Sequence, residues 1–386
     1  MADKIKVLHI IKTLSLGGAE VNLLNLSKAV DNDRYEFHVA YSFGGELEPK
    51  FKEAGIKLFK YADQDHRVKS LETGWIIFRL VRYIRKNKIQ IVHTHTFSAH
   101  LWGSMAAKLT GAKIIEHVHD FRYLQPQDFS RRRGFNNQYR FVRQFKNVSD
   151  RVVVLTKQNQ DFLVQEGIYP VERIREYQNG IPLPGQINRS GNAKPKLIAK
   201  FHLRTDALLV LTPIRLAPEK NADLILRIAP EVIRRLPNVM FLIAGDGPLY
   251  QQVSDDIKKM GLEENVRLIG YHADIRDLLE GSDIFLLPSF LELHSIAILE
   301  GMSSRVPVVV SQEVGCNSEF IDDWRNGVLL DPFKDAGWAH ALIKLLEDPQ
   351  LRLRMGEQGY QTCLKKFNIN EVVKKFENLY VELTHF

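Results

Sequence analysis

The chain has 386 residues, 45% hydrophobic and 26% charged, with a formal net charge of +7. That excludes intrinsic disorder and collagen-like repeats. Two cysteines, Cys316 and Cys363, are too few for a disulfide framework and suit a reducing cytoplasm. The apolar runs at 152–155 and 306–310 fall far short of the roughly 20 residues that span a bilayer, and the first, 7–11, stops at Lys12, unlike a secretory signal.

At about 100–200 residues per domain, the length predicts two domains. Short β-branched runs alternate with amphipathic stretches: strands at 5–11, 36–43, 56–60, 89–95, 112–119 and 151–155, with helices at 19–30, 47–54 and 71–86 and another starting near Ser98. In the third helix Ile76, Ile77, Leu80, Val81 and Ile84 share one face. Residues 179–196, rich in Gly, Pro and Asn and without apolar period, read as a linker. Alternation resumes with strands at 207–214, 238–245, 265–270, 283–288 and 306–310, a helix at 221–236, and closing helices at 335–346, 350–366 and 370–383. The pattern predicts an α/β chain of two facing Rossmann-like, doubly wound parallel-sheet domains with a cleft between them. Ligands of such sheets sit outside the carboxyl ends of the strands, so chemistry is sought in the residues that follow each strand.

Gly17 and Gly18 lie between the first strand and its helix, where glycine lets a ligand approach and the helix N-terminus favours an anion; a plain tight turn is an equal reading. Arg215 and Lys220 follow the strand ending at Ile214, and two cations there suit a diphosphate, although single surface cations are common. Glu292 lies in the loop after 283–288, and Glu300 two turns into the next helix among Ile296, Ile298, Leu299 and Met302. A carboxylate accepts from both hydroxyls of a ribose or sugar. The helix start at Ser295 and Ile296 offers free N–H groups to phosphate. His93, His95, His117 and His119 form two H-x-H pairs at strand ends, each pair pointing to one face. They read as buried hydrogen-bonding residues or, less simply, as metal ligands, with His119 beside Asp120 best placed at the cleft. The stretch 121–151 interleaves eight cations, among them Arg131, Arg132, Arg133 and Arg151, with aromatic residues. It fits an anionic membrane surface, or a solvated helix with its aromatics turned inward. No nucleic-acid-binding signature accompanies it.

Taken in order, these segments resemble the GT-B retaining glycosyltransferases of family four (glycosyl transferases group 1) over nearly the whole chain. The resemblance is carried by GGAE at 17–20, the His119–Asp120 pair, QNGI at 178–181, RLAPEK at 215–220, AGDGP at 244–248, the acid pair Glu292 and Glu300, GCNSEFI from Gly315 and NGVLL from Asn326. It departs at Leu293, His294 and Ser295, where the family often has glycine, and at Ile214, where glycine precedes the arginine.

The resemblance implies roles for the matching residues. Arg215 and Lys220, with Gly17, Gly18, Ser295 and Ile296, would hold the donor diphosphate. Glu300 would hold the ribose, while Glu292 and His119 would act at the transferred sugar as catalytic residues. It implies an N-terminal acceptor-side domain at 1–182, a nucleotide-sugar domain at 183–369, and a last helix, 370–386, crossing back to the first domain. No metal and no cofactor are expected, only a nucleotide diphosphate sugar, UDP-linked, as co-substrate. The acceptor would be a hydroxyl, lipid-linked or on a cell-surface glycan precursor. The enzyme would be cytoplasmic, peripheral at the inner face of a membrane, with no nucleic-acid partner. A nucleotide-sugar epimerase on the same architecture and a non-catalytic nucleotide-sugar-binding subunit are the alternatives.

Overall fold

The computed structural model describes residues 4–62, 70–119, 147–183, 193–272, 275–312 and 314–384. The chain divides into two compact units, Met1–Pro182 with Ile369–Phe386, and Leu183–Asn368.

The first unit holds a sheet of β1 (Ile5–Ile10), β2 (Tyr35–Tyr41), β3 (Lys57–Lys60), β4 (Ile91–Thr94), β5 (Lys113–Val118), β6 (Arg151–Val154) and β7 (Ile174–Glu176). Its spatial order is β3-β2-β1-β4-β5-β6-β7, and every pair is parallel. Parallel strands need cover on both faces. Helices α1 (Gly18–Ala29), α2 (Glu48–Glu53), α3 (Ser70–Asn87), α4 (Phe97–Thr110) and α5 (Lys157–Gln165) follow the strands in turn. Residues of α3 and α4 join Leu8, Ile10, Val92 and Ile114 in one core. On the opposite face Val7, Phe37, Ile91 and Ile115 join α1 and a helix from the far end of the chain.

The second unit starts with α6 (Ala193–Lys200). Its sheet comprises β8 (Leu208–Pro213), β9 (Val239–Ala244), β10 (Val266–Gly270), β11 (Ile284–Leu287), β12 (Val308–Ser311) and β13 (Val328–Leu330), in the order β10-β9-β8-β11-β12-β13, again all parallel. The interleaved helices are α7 (Ala222–Arg235), α8 (Tyr250–Lys259), α9 (Arg276–Gly281), α10 (Ile296–Ser303), α11 (Asn317–Phe320), α12 (Ala336–Glu347) and α13 (Pro349–Lys366). Both units therefore reverse strand order beside their first strand, between β1 and β4 and between β8 and β11. The crossovers leave these strand pairs in opposite directions, which opens a crevice at their carboxyl ends.

The last helix, α14 (Ile369–Thr384), belongs to the first unit. Its Val372, Phe376, Leu379 and Tyr380 are buried in the core on the α1 face. Ile369 N–H donates to the Ile181 carbonyl at 3.0 Å, and Glu382 receives Arg151 and Arg175. Arg151 therefore anchors this helix rather than a surface patch; residues 120–146, with the rest of the basic-aromatic stretch, lie outside the described residues. The stretch expected as linker is narrower than 179–196. Gly180 N–H reaches Asn22 Oδ1. Helix α6 already starts at Ala193, with Leu197 buried against Gly281 and Lys194 Nζ 2.6 Å from Asp283.

At Gly180 an added Cβ would fall 2.8 Å from Ile369 Cδ1 and 3.1 Å from Ile369 Cα. Gly180→Val should therefore lower stability by about 1–3 kcal/mol, the cost of overpacking. An unchanged thermal midpoint would show that the α14 contact tolerates bulk.

Candidate functional site

In the second unit the two strands at the order reversal, β8 and β11, each deliver one loop of interest. The first, 214–221, is pinned from below by the glycines of AGDGP. At φ +151° and +155°, Gly245 and Gly247 let backbone meet backbone: a Cβ on Gly245 would sit 1.8 Å from the Ile214 carbonyl oxygen, and one on Gly247 2.4 Å from that of Leu216. Leu216 N–H donates to Asp246 O at 2.9 Å, and Leu249 N–H to Leu216 O at 3.0 Å. Arg215 thus projects from a fixed backbone, 66% exposed, with its guanidinium on Glu219.

The second loop, 288–295, is tied directly to the first. Phe290 N–H donates to Glu219 O at 2.9 Å. Lys220 Nζ lies 2.6 Å from Glu292 Oε1, which also accepts from Ser289 Oγ at 2.9 Å. Asn221, in the left-handed conformation that Asn tolerates, donates from Nδ2 to the carbonyls of Pro288 and Pro332. Ser295 is the N-cap of α10 and makes no side-chain cap bond, which leaves the N–H groups of the first turn at Ile296 directed outward from the helix end. Glu300, half-buried, follows in the next turn. Arg215, Lys220, Glu292, Ser295, Ile296 and Glu300 are therefore gathered at one strand-order reversal. The sequence does not single out Asn221, Ser289 or Glu219; Glu219 lies within RLAPEK, Asn221 directly follows it, and Ser289 adjoins the acid loop.

The departure at 293–295 is absorbed by the core. Leu293 is buried, and its carbonyl accepts from Cys316 N–H at 2.9 Å and from Cys316 Sγ at 3.1 Å. His294 stacks on Phe320 and meets Phe367 edge-on, and burial holds its imidazole down to about 4.

In the first unit Gly17 is the N-cap of α1 and Gly18 its first residue. Glu20, in the first turn of that helix, is mostly buried, and burial pushes its carboxyl up to about 7. His119 follows β5 and closes a ladder of imidazoles. His9 Nδ1 lies 2.9 Å from His95 Nε2, and His95 Nδ1 lies 3.1 Å from His119 Nε2. The cluster has a fifth member that the two H-x-H pairs do not reveal: His9 pairs with His93 across β1 and β4 and shares their face of the sheet. His93 Nδ1 is 3.1 Å from the Tyr380 hydroxyl on α14, and Phe376 covers His93 and His117.

Burial holds His9 down to about 3, and pushes His93, His95 and His117 well below the usual imidazole range, with the neighbouring rings adding to the effect. A neutral ring carries a single N–H, so the ladder must run with one polarity. Where His95 donates from Nδ1, His119 accepts at Nε2 and keeps its proton on Nδ1. His95 thereby sets which nitrogen of His119 is a donor. His9, His93 and His95, or His95, His117 and His119, offer ring nitrogens within 4.8 Å of one another, enough to approach a transition metal. Both sets, however, need the His95 nitrogens that already hold the ladder.

Two family models match the chain in tandem. Glycosyltransferase Family 4 matches residues 16–183, and Glycosyl transferases group 1 matches residues 193–362. The chain is 25% identical over 389 residues to the UDP-Gal:alpha-D-GlcNAc-diphosphoundecaprenol alpha-1,3-galactosyltransferase of Escherichia coli, across 99% of this chain and 98% of that protein. It is 26% identical to the alpha-D-kanosaminyltransferase of Streptomyces kanamyceticus, across 80% of this chain and 81% of that one. Its fold is similar to that of Anabaena Alr3699/HepE, solved in complex with UDP and glucose, with a TM-score of 0.83, 21% identity, and 97% of this chain and 99% of that chain covered. These relatives support a transferase and give the epimerase alternative no support.

Rings that stay neutral when folded but take up protons when unfolded make stability fall with acid. The unfolded chain binds the extra protons below about 6.5, so the loss runs from there down toward the folded values of about 3 for His9 and about 4 for His294. Each such ring contributes roughly 1 kcal/mol per pH unit well below 6.5. The thermal midpoint should drop steeply between neutral pH and mild acid. A flat profile would mean that the rings are already charged in the fold.

Proposed function

The chain belongs to glycosyltransferase family 4, and on that premise we propose that it is a retaining, metal-independent transferase. It moves a hexose from UDP to a hydroxyl acceptor, lipid-linked or on a cell-surface glycan precursor, at the cytoplasmic face of a membrane. The observation that carries this reading is the constellation at the β8/β11 reversal, where Lys220 and Glu292 pair at 2.6 Å beside the uncapped start of α10, with Arg215 on the adjoining loop. No described helix is long and apolar enough to cross a membrane, which is compatible with peripheral attachment.

The difficult step is departure of the nucleotide diphosphate. Arg215 offers a planar fork and Lys220 a point charge to its oxygens. The first-turn N–H groups from Ile296 add an oriented dipole. Fixed donors of this kind stabilise charge as it develops, at no cost in reorganisation. Pinning by Gly245 and Gly247 keeps Arg215 in place without substrate. Glu300 accepts the ribose hydroxyls, and Glu292, with one oxygen on Lys220 and Ser289, turns the other to the sugar. As the bond from the anomeric carbon to the diphosphate oxygen breaks, the acceptor oxygen bonds to that carbon on the same side of the ring and its hydroxyl proton passes to the departing diphosphate oxygen. In the first unit, the resemblance gives Gly17 and Gly18 a role at the phosphate and His119, bonded to His95, a role at the transferred sugar.

Glu300→Ala should weaken UDP binding in calorimetry by about 1.5–3 kcal/mol, the range for hydrogen bonds to a charged group. Unchanged affinity would remove Glu300 from the site. Arg215→Ala with Lys220→Met should abolish transfer while the protein still melts cooperatively. Proton NMR of the product should show the donor's anomeric configuration kept, with the rate unchanged by a chelator. An inverted product would overturn the retaining assignment.

A further inference from the structure

Helices α3 and α4 pack side by side on one face of the first sheet, with Ile76, Ile77, Leu80, Leu101, Trp102 and Ala106 turned into the core. Their outward sides therefore share one surface, and that surface has an unusual composition. Trp75 is 61% exposed and Phe78 53%, and their rings stack at 5.7 Å. On α4 the exposed large residues are Met105 and Leu109. A turn beyond Phe78 come Arg82, Arg85 and Lys86, all exposed, and α4 adds exposed Lys108 beside Leu109. Arg85 joins the helices by donating to the Leu109 carbonyl at 3.1 Å. Between residues 73 and 115 the sequence has seven Lys and Arg and no Asp or Glu.

Exposed tryptophan and phenylalanine cost solvation free energy and are rarely kept together without a partner. A surface that pairs them with exposed cations, with no acid in α3 after Glu72 and none in α4, is complementary to one class of partner in both respects. We propose that the α3–α4 face docks on an anionic lipid bilayer. The helices lie in the plane of the interface. Trp75 and Phe78 enter the boundary between headgroups and acyl chains, where an amphipathic ring is at home, and Arg82, Lys86 and Lys108 extend along the surface to lipid phosphates. A negatively charged leaflet draws in such cations, and salt weakens the attraction. This gives the membrane named under Proposed function a defined contact, on residues separate from the 121–151 stretch. It rests on that reading only for its purpose, since the docking needs neither donor nor acceptor.

The test is sedimentation of the full-length protein with phosphatidylcholine vesicles and with phosphatidylglycerol-rich vesicles, at low and high salt, with no substrate present. The protein should partition to the anionic vesicles, lose that binding in high salt and ignore the neutral ones. Each cation near a charged leaflet is worth about fivefold in partitioning, so Arg82→Glu with Lys86→Glu and Lys108→Glu should lower it at least a hundredfold. Trp75→Ser with Phe78→Ser should lower it as well, with the same unfolding midpoint as the parent protein, because all five side chains are exposed. Absence of binding to anionic vesicles would overturn the proposal, as would full binding by both variants, which would place the contact elsewhere in the chain. Sedimentation velocity gives the remaining adverse outcome: a dimer that Trp75→Ser dissolves would assign the face to a second copy. UDP-sugar turnover in detergent solution, measured separately, reports on the transferase reading alone.

Discussion

A parallel sheet buries both faces, and everything else in this protein follows from how that requirement is met. Hydrogen-bonding groups along the strands are used up by neighbouring strands, and the side chains above and below must be apolar or neutral. Charge is then left mostly to the strand ends, the buried Glu116 of β5 with its Tyr169 partner being an exception, and the widest opening at those ends lies where strand order reverses. In the second unit that point collects Arg215, Lys220 and Glu292 on two loops that hold each other through Phe290 N–H and Glu219 O. The site is assembled by backbone contacts, and its charged side chains are mounted on them.

The first unit shows the same constraint from the inside. Five histidines sit at and near the carboxyl ends of β1, β4 and β5, and four of them are fully buried. The four buried rings are tolerated because burial keeps them neutral; His9, His95 and His119 bond in a ladder, and His93 bonds instead to the Tyr380 hydroxyl. Hydrogen bonds in a buried polar network hold their members in one arrangement, and here the ladder reaches His119 just past the carboxyl end of β5. His117 is the weak point: both of its ring nitrogens are buried without a hydrogen-bond partner among the described residues.

Much of this was legible in the sequence. The central strands announce themselves as β-branched runs because they are buried on both faces. The edge strands β7 and β13 do not, since three residues carry no period. Helices α5 and α8 were missed because their sequences, KQNQDFLVQ and YQQVSDDIKK, are mostly polar and bury only a few residues each. Helix α6 was hidden by Pro195 and by the glycine-rich stretch before it. The candidate residues at the β8/β11 reversal could be picked out because loops after strands carry few other demands. Asn221 and His9 were not, because a left-handed N-cap and a ladder partner some 86 residues away in sequence exist only once the chain is folded.

The position of α14 also sets an order of events during synthesis. The face of the first sheet that holds Val7, Phe37, Ile91 and the histidines is covered by α1 and by residues from 369 onward, and the latter emerge only after the whole of Leu183–Asn368 has been made. On the ribosome the unit translated first is thus completed last. Until then the nascent unit leaves part of an apolar sheet face without its covering helix, with Gly180 waiting for the helix that will press against it.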